Sequence, residues 1–245
     1  MSRFYVRPHA ESYGHDIGII MLDCRTPFVP GDVGNASTYN YPVLYKTVEG
    51  LTLQKVIQEG DLKFVDQVVD AAVYLESQGV RAITSDCGYM LWFQDAVAEA
   101  VSVPVMLSSL IQLPFIASTL SSDQAIGIIC ANKQRLPNDL LEKAYPNANR
   151  PIHIVGLEDQ PNFRGPILDE TPVLDFNEVQ REVLSTTEKL VAENPNIGAI
   201  LLECSNLPPY ASAISNLTGL PVFDFITMID YVRAASRRKP YAGHY

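Results

Sequence analysis

The sequence predicts an α/β protein of two lobes related by a pseudo-twofold axis. Each lobe is a parallel sheet flanked by helices, and the active site lies in the cleft between them. Three observations predict this. Short apolar runs rich in β-branched residues alternate with helical patterns. The hexamer AITSDC at 82–87 returns as AILLEC at 199–204, and the tetramer IGII occurs at 17–20 and again at 126–129. With a constant offset of 117 and no gap, Ala82, Ile83, Cys87, Ala96, Pro104 and Val105 fall on Ala199, Ile200, Cys204, Ala213, Pro221 and Val222, and Asp86 falls on Glu203. Order and ungapped spacing together point to an internal duplication.

Taken in order, Asp16–Leu22, Val80–Ser85, Val103–Leu107, Ala125–Ile129, Ile152–Val155, Ile197–Leu202 and Pro221–Phe223 read as buried strands. Between them, Asp61 is placed to cap a helix with the stripe Leu62, Val65, Val69, Ala72 and Val73, which Gly79 ends. Asp175 or Asn177 caps another carrying Val179, Val183, Leu184, Leu190 and Val191. The expected division is residues 1–121 with 224–245 for the first lobe and 122–223 for the second, the chain after Phe223 crossing back to the first.

Composition narrows the function. A net charge of −10 argues against nucleic acid, which needs a basic face. The basic cluster Arg233, Arg237, Arg238 and Lys239 reads as a helix end whose cations complement the dipole. The opening residues MSRFYVRPHAESYGHD contain no apolar signal segment, so a cytoplasmic location is expected. Ala100–Ser122 holds no charge, but Pro104, Gln112, Pro114 and several serines interrupt it. It reads as a strand and a helix rather than a membrane span. The cysteines at 24, 87, 130 and 204 form no CxxC pair and have no histidine at ligand spacing, so neither zinc nor a disulfide framework is expected. The common nucleotide, phosphate, zinc-protease and serine-hydrolase signatures do not occur, and no lysine lies in a pyridoxal-phosphate context. No cofactor is expected.

Ligands of open parallel sheets bind beyond the carboxyl ends of the strands. Cys87 and Cys204 each sit where a strand ends, with Gly88 after the first and Ser205-Asn206 and Pro208-Pro209 after the second. Both stretches read as turns into helix N-termini, where free amides hold a carboxylate and the dipole favours a thiolate by about 0.3–1 kcal/mol. Asp86 and Glu203 would oppose thiolate formation if they faced the sulfurs, yet adjacent residues of a strand point to opposite faces. Two lobes related by a pseudo-twofold put one thiol on each side of the cleft. One then acts as base and the other as acid on a single carbon. The plain alternative is a pair of buried strand-end cysteines. Retention of cysteine in both halves, where most repeat positions have diverged, favours function.

The stretches TSDCGYM (84–90), SSLIQLP (108–114), LLECSNLPPYA (201–211) and GLPVFDFIT (219–227), with Asp23-Cys24-Arg25 and PGDVGN (30–35), resemble the aspartate/glutamate racemase superfamily over most of the chain. The resemblance implies Rossmann-like lobes, cofactor-independent proton transfer by Cys87 and Cys204, and a homo-oligomer. Racemases of amino acids typically follow the first cysteine with Asn-Thr and the second with Thr-His. Here the pairs are Gly88-Tyr89 and Ser205-Asn206. The motifs look closer to a divergent branch that includes the algal dimethylsulfoniopropionate lyases. The expected activity is racemisation or epimerisation of a small, amino-acid-like carboxylate. The alternative is a lyase using the same thiols for β-elimination, and a non-catalytic binding protein ranks third.

Around the thiols, the amides of Gly88, Tyr89 and Asn206 and the side chains of Ser85, Ser205 and Asn206 are candidate donors to a developing carbanion. By resemblance Asp23 lies near a substrate amine. Arg25 offers a fork for a carboxylate, an ordinary surface arginine being the alternative. Ser108, Ser109 and Gln112 follow a strand and should reach the cleft, unless Ser109 caps the next helix. Tyr39, Tyr41 and Tyr45 either cover the site or belong to core or interface. Cys24 and Cys130 read as structural.

Overall fold

The two IGII tetramers become the central strands of two parallel sheets in the computed structural model, which describes residues 3–59, 62–238 and 240–243. In the first sheet β1 (Ile17–Met21) lies between β2 (Val43–Thr47) and β3 (Ala82–Ser85), and β4 (Val105–Met106) pairs outside β3. In the second, β5 (Ala125–Cys130) lies between β6 (Ile152–Gly156) and β7 (Ile197–Leu202), with β8 (Val222–Phe223) outside β7. The strand order is the same in both, so the repeat read from sequence is also a repeat of topology.

The helices are α1 (Val65–Gln78), α2 (Gln94–Ala100), α3 (Leu113–Thr119), α4 (Asn138–Ala144), α5 (Pro161–Leu168), α6 (Phe176–Glu193), α7 (Ala211–Thr218) and α8 (Phe225–Ser236). The glycine of each tetramer has a packing role. A Cβ on Gly18 would sit 3.1 Å from Leu75 of α1, and one on Gly127 would sit 3.3 Å from Leu190 of α6. Each therefore lets the long helix of its lobe lie directly on the central strand. Gly79 ends α1 at φ 89°, a left-handed conformation open to glycine without strain. Asp175 caps α6 by accepting from the amides of Asn177 and Glu178. After β8, α8 is capped by Asp224 and packs Phe225, Met228 and Ile229 against Ile17 and Ile19 of the first sheet.

Several details differ from the sequence reading. β2 was not anticipated: VLYKT is half-exposed and carries Lys46 and Thr47 at its end, the pattern of an edge strand rather than a buried run. β4 and β8 have two residues each. The capping role expected of Asp61 lies outside the described residues. The buried face of α1 is Val68, Ala71, Ala72 and Leu75, while Leu62 and Val73 of the expected stripe face solvent. Arg233 and Arg237 both pair with the buried Asp16, at 3.0 and 2.7 Å, and so tie α8 to the start of β1 rather than only ending a helix. Tyr39 and Tyr45 donate to the Val33 carbonyl and Tyr41 donates to Asp230; the three pack with the first sheet and α8, away from the thiols. Among the described residues no helix is long and apolar enough to cross a membrane.

Candidate active site

The chain leaves β3 and β7 through equivalent turns. The Asp86 amide donates to the Ile20 carbonyl at the end of β1, and the Glu203 amide donates to the Ile129 carbonyl at the end of β5. Each acid then turns its side chain back to the neighbouring strand: Asp86 accepts from the Leu22 amide at 3.0 Å and Glu203 from the Ala131 amide at 3.5 Å. The cysteines that follow are thereby aimed at the space between the lobes. Cys87 and Cys204 are 6% and 8% exposed and line one small cavity of about 20 Å³. That volume admits about one water molecule. Leu53 and Ile57 from the first lobe and Ile167 and Leu168 from α5 complete its wall. Leu53, Ile57 and Leu168 also line a larger outer cavity of about 220 Å³, which carries Glu158, Arg164, Asp169 and Glu170. These three side chains stand between the thiol chamber and its vestibule.

The expected helix N-termini are 3-10 turns, Gly88–Phe93 and Pro208–Tyr210. Each sulfur nevertheless receives the amide two residues on, Tyr89 for Cys87 and Asn206 for Cys204, which favours the thiolate. Burial outweighs that help and pushes both thiols well above the usual range, and Glu203 raises both further. So the charge of each acid does act on the cysteine beside it, although both side chains turn back to a neighbouring strand. Burial likewise holds Asp32, Asp86 and Glu203 at about 7. Among the described residues no lysine, arginine or histidine lines the thiol chamber.

Four of the polar side chains expected at the cleft, Tyr89, Ser109, Ser205 and Asn206, instead join the two lobes. Ser205 donates to the Asp86 carbonyl, and Ser109 donates to the carbonyls of Leu202 and Glu203 at 2.8 and 3.2 Å. Tyr89 donates to the Asn132 carbonyl at 3.0 Å. Gln112 donates to the Asp224 carbonyl at 2.9 Å and borders a separate apolar groove beside Phe115 and Tyr231. Ser85 is committed to the Leu107 carbonyl at 2.5 Å, which leaves it no hydroxyl proton for a substrate. Ser108, not Ser109, caps the following turn by accepting from the Leu110 amide. Asp23 accepts from the Gly50 amide at 2.9 Å, and the exposed Arg25 contributes its own amide to Glu170 across the cleft; neither lines the thiol chamber. Gly88, Tyr89, Ser205 and Asn206 do line it.

Asn206 has a more specific place. Its Nδ2 donates to Asp32 at 2.6 Å, which turns its Oδ1 toward Cys204, and the Cys204 thiol donates to that oxygen at 3.5 Å. Asp32 is held in turn by the Gly34 amide at 2.8 Å. The quoted PGDVGN stretch contained Asp32, but its partner lies 174 residues away and could not be read from spacing. Cys130 donates to the Val155 carbonyl and is fully buried, a structural thiol; Cys24 is half-buried with its pKa pushed up to about 12 by burial.

The architecture is shared with solved enzymes of low sequence identity. A variant of arylmalonate decarboxylase in a sulfate-associated form aligns with TM-score 0.62 and 17% identity over 94% of this chain and 98% of its own. The aspartate racemase of Picrophilus torridus aligns with TM-score 0.52 and 15% identity over 90% and 92%. The fold is that of the aspartate/glutamate racemase superfamily. No family model matches the sequence. The chain is 33% identical over 222 residues to a dimethylsulfoniopropionate lyase of Durusdinium sp. clade D, covering 88% of this chain and 73% of that protein. It is 35% identical over 238 residues to dimethylsulfoniopropionate lyase 6 of Emiliania huxleyi, covering 93% of this chain and 61% of that protein. The chain belongs to the dimethylsulfoniopropionate lyase family.

Proposed function

We propose that the chain is a cofactor-independent lyase that removes a proton beside a carboxylate and expels a sulfide from the adjacent carbon, with dimethylsulfoniopropionate or a close sulfonium analogue as substrate. One observation carries the choice of substrate: both thiols line a chamber walled by acidic side chains and, among the described residues, by no basic one. A substrate of net negative charge, such as aspartate or glutamate, would enter without a compensating cation, at a high desolvation cost. A sulfoniopropionate has no net charge, and its onium group is suited to the acidic wall. The resemblance to named lyases supports the same choice.

Cys87 serves as base in this reading. The Cys204 proton is engaged by Asn206, whose orientation Asp32 fixes, so Cys204 retains it. The Cys87 thiolate takes the α-proton, the C–H electron pair forms the double bond, and the β carbon–sulfur bond breaks with its pair leaving on sulfur. Dimethyl sulfide and acrylate result. Cys204, on the opposite side, offers its S–H to the charge that develops on the substrate carboxylate. The matched thiols favour a second reading, racemisation of a small zwitterionic carboxylate.

The test is incubation with dimethylsulfoniopropionate, with headspace detection of dimethyl sulfide. Cys87→Ala and Cys204→Ala are each expected to lower release at least about a hundredfold, the scale of a lost acid–base group. Full release by either variant sinks the two-thiol scheme. Stereoinversion with deuterium incorporation at the α-carbon in deuterated water, without sulfide release, favours racemisation instead.

A further inference from the structure

Glu203 is only 1% exposed, and its Oε1 is buried with no hydrogen-bond partner. Its counterpart Asp86, one methylene shorter, stays on its own lobe beside Leu22. The longer Glu203 side chain keeps Oε2 on the Ala131 amide of its own lobe and brings Oε1 against Gly88 of the other. A Cβ on Gly88 would lie 1.9 Å from Oε1, so this oxygen rests against the backbone beside Cys87, while the Glu203 main chain runs on into Cys204. Glu203 thus lines the thiol chamber together with both cysteines, and its charge acts on both sulfurs.

We propose that Glu203 is the proton relay of this chamber, taking from Cys87 the proton removed from substrate and passing it out so that the thiolate is restored. The proposal rests on the lyase reading, in which every turnover releases one proton. After elimination Cys87 is a thiol in a space closed by Leu53, Ile57 and Leu168. Its S–H bond breaks as an O–H bond forms on Oε1. That O–H then gives its proton to solvent water or buffer when the chamber opens. Thiolate and carboxylate are both regenerated, and the sum is sulfonium substrate to sulfide, acrylate and one proton. A relay works best when its pKa lies near the working pH, and burial holds Glu203 at about 7. The ionisable groups facing it are Cys87, Asp86 and Tyr89 from the first lobe and Cys130 and Cys204 from the second. None of the others combines a neutral-range pKa with an unpartnered oxygen against Gly88.

The experiment compares Glu203→Gln with the wild-type chain by rapid-quench kinetics, after both have been equilibrated at alkaline pH to load the thiolate. The variant is expected to complete its first turnover at the wild-type rate. Its steady-state kcat should then fall at least about tenfold and climb again as imidazole is added, because a small buffer replaces the missing carrier. Wild-type kcat should not respond to imidazole. Glu203→Asp, which keeps a carboxyl but withdraws it from Gly88, is expected to show a smaller loss and a smaller response. A Glu203→Gln kcat within threefold of wild type overturns the relay. So does a first turnover slowed in the same proportion as kcat with no response to buffer, which marks a purely structural role. A wild-type chain that releases no sulfide fails earlier, at the functional reading, and is thereby distinguished.

Discussion

At the scale of single residues, the site depends on one missing side chain. Gly88 has an ordinary backbone conformation, so its requirement is space rather than φ: a Cβ would meet the Glu203 carboxyl at 1.9 Å and the Glu203 carbonyl oxygen at 2.8 Å. Gly88→Ala must displace that acid. The expected result is a stability loss of about 1–3 kcal/mol, typical of overpacking, together with a fall in turnover. Adding Glu203→Ala removes the nearer clash but not the carbonyl contact. Thermal melts of the two single variants and the double variant should therefore show favourable coupling that recovers part of the loss. Simple additivity would mean that the two groups do not touch. The cysteines were legible because they recur in the repeat and close two strands. The acids beside them are also visible, but strand alternation leaves out that their charges reach the sulfurs even with both carboxyls turned back to a neighbouring strand. That reasoning holds within a strand, and Asp86 and Glu203 lie just past the strand ends, where it no longer applies.

At the scale of elements, the chamber is closed by two short pieces with weak sequence signatures. One is the π-helical turn Gln54–Glu59 with Leu53 before it; the other is the end of α5, interrupted by Pro166. Ile57 and Leu168 each line both the chamber and the outer cavity and are half-buried. A chamber of about 20 Å³ cannot hold a substrate of several heavy atoms, so these side chains must part during turnover. Ile57→Ala and Leu168→Ala are expected to speed alkylation of Cys87 and Cys204 several-fold. The stability cost should sit at or below the low end of the ~2–5 kcal/mol seen for fully buried sites. Peptide mapping after iodoacetamide labelling checks this, and unchanged labelling would place the entrance elsewhere. β2 and the face of α1 were obscured for a related reason. Edge strands and long helices bury only part of each apolar set, and which part depends on the sheet they meet.

At the scale of the whole molecule, the lobes are joined by the polar groups that a cleft would normally offer to a ligand. Ser205, Ser109, Tyr89 and Asn206 each cross from one lobe to the other. The price is three buried carboxyls, Asp32, Asp86 and Glu203, each held at about 7 by burial. The unfolded chain ionises them near 4. Between about 4 and 7 the folded state therefore binds more protons than the unfolded one, and the stability these groups contribute falls as pH rises through that window, levelling off above it. Relief of the repulsion within a chain of net charge −10 acts in the same direction. The melting temperature is expected to be higher at pH 6 than at pH 8. Asp86→Asn, which keeps an acceptor for the Leu22 amide, should flatten the difference. A melting temperature that rises from pH 6 to pH 8 would show that these acids are ionised in the folded chain.

The sequence by itself determined the duplicated α/β architecture, the two thiols at matched strand ends and the family, because apolar periodicity and short motifs are local properties. Tertiary structure alone decided which polar groups remain available to a substrate. Asn206 is bound to Asp32, 174 residues distant, and Glu203 Oε1 is packed without a partner against Gly88, so what each can offer a substrate was settled by a residue of the other lobe.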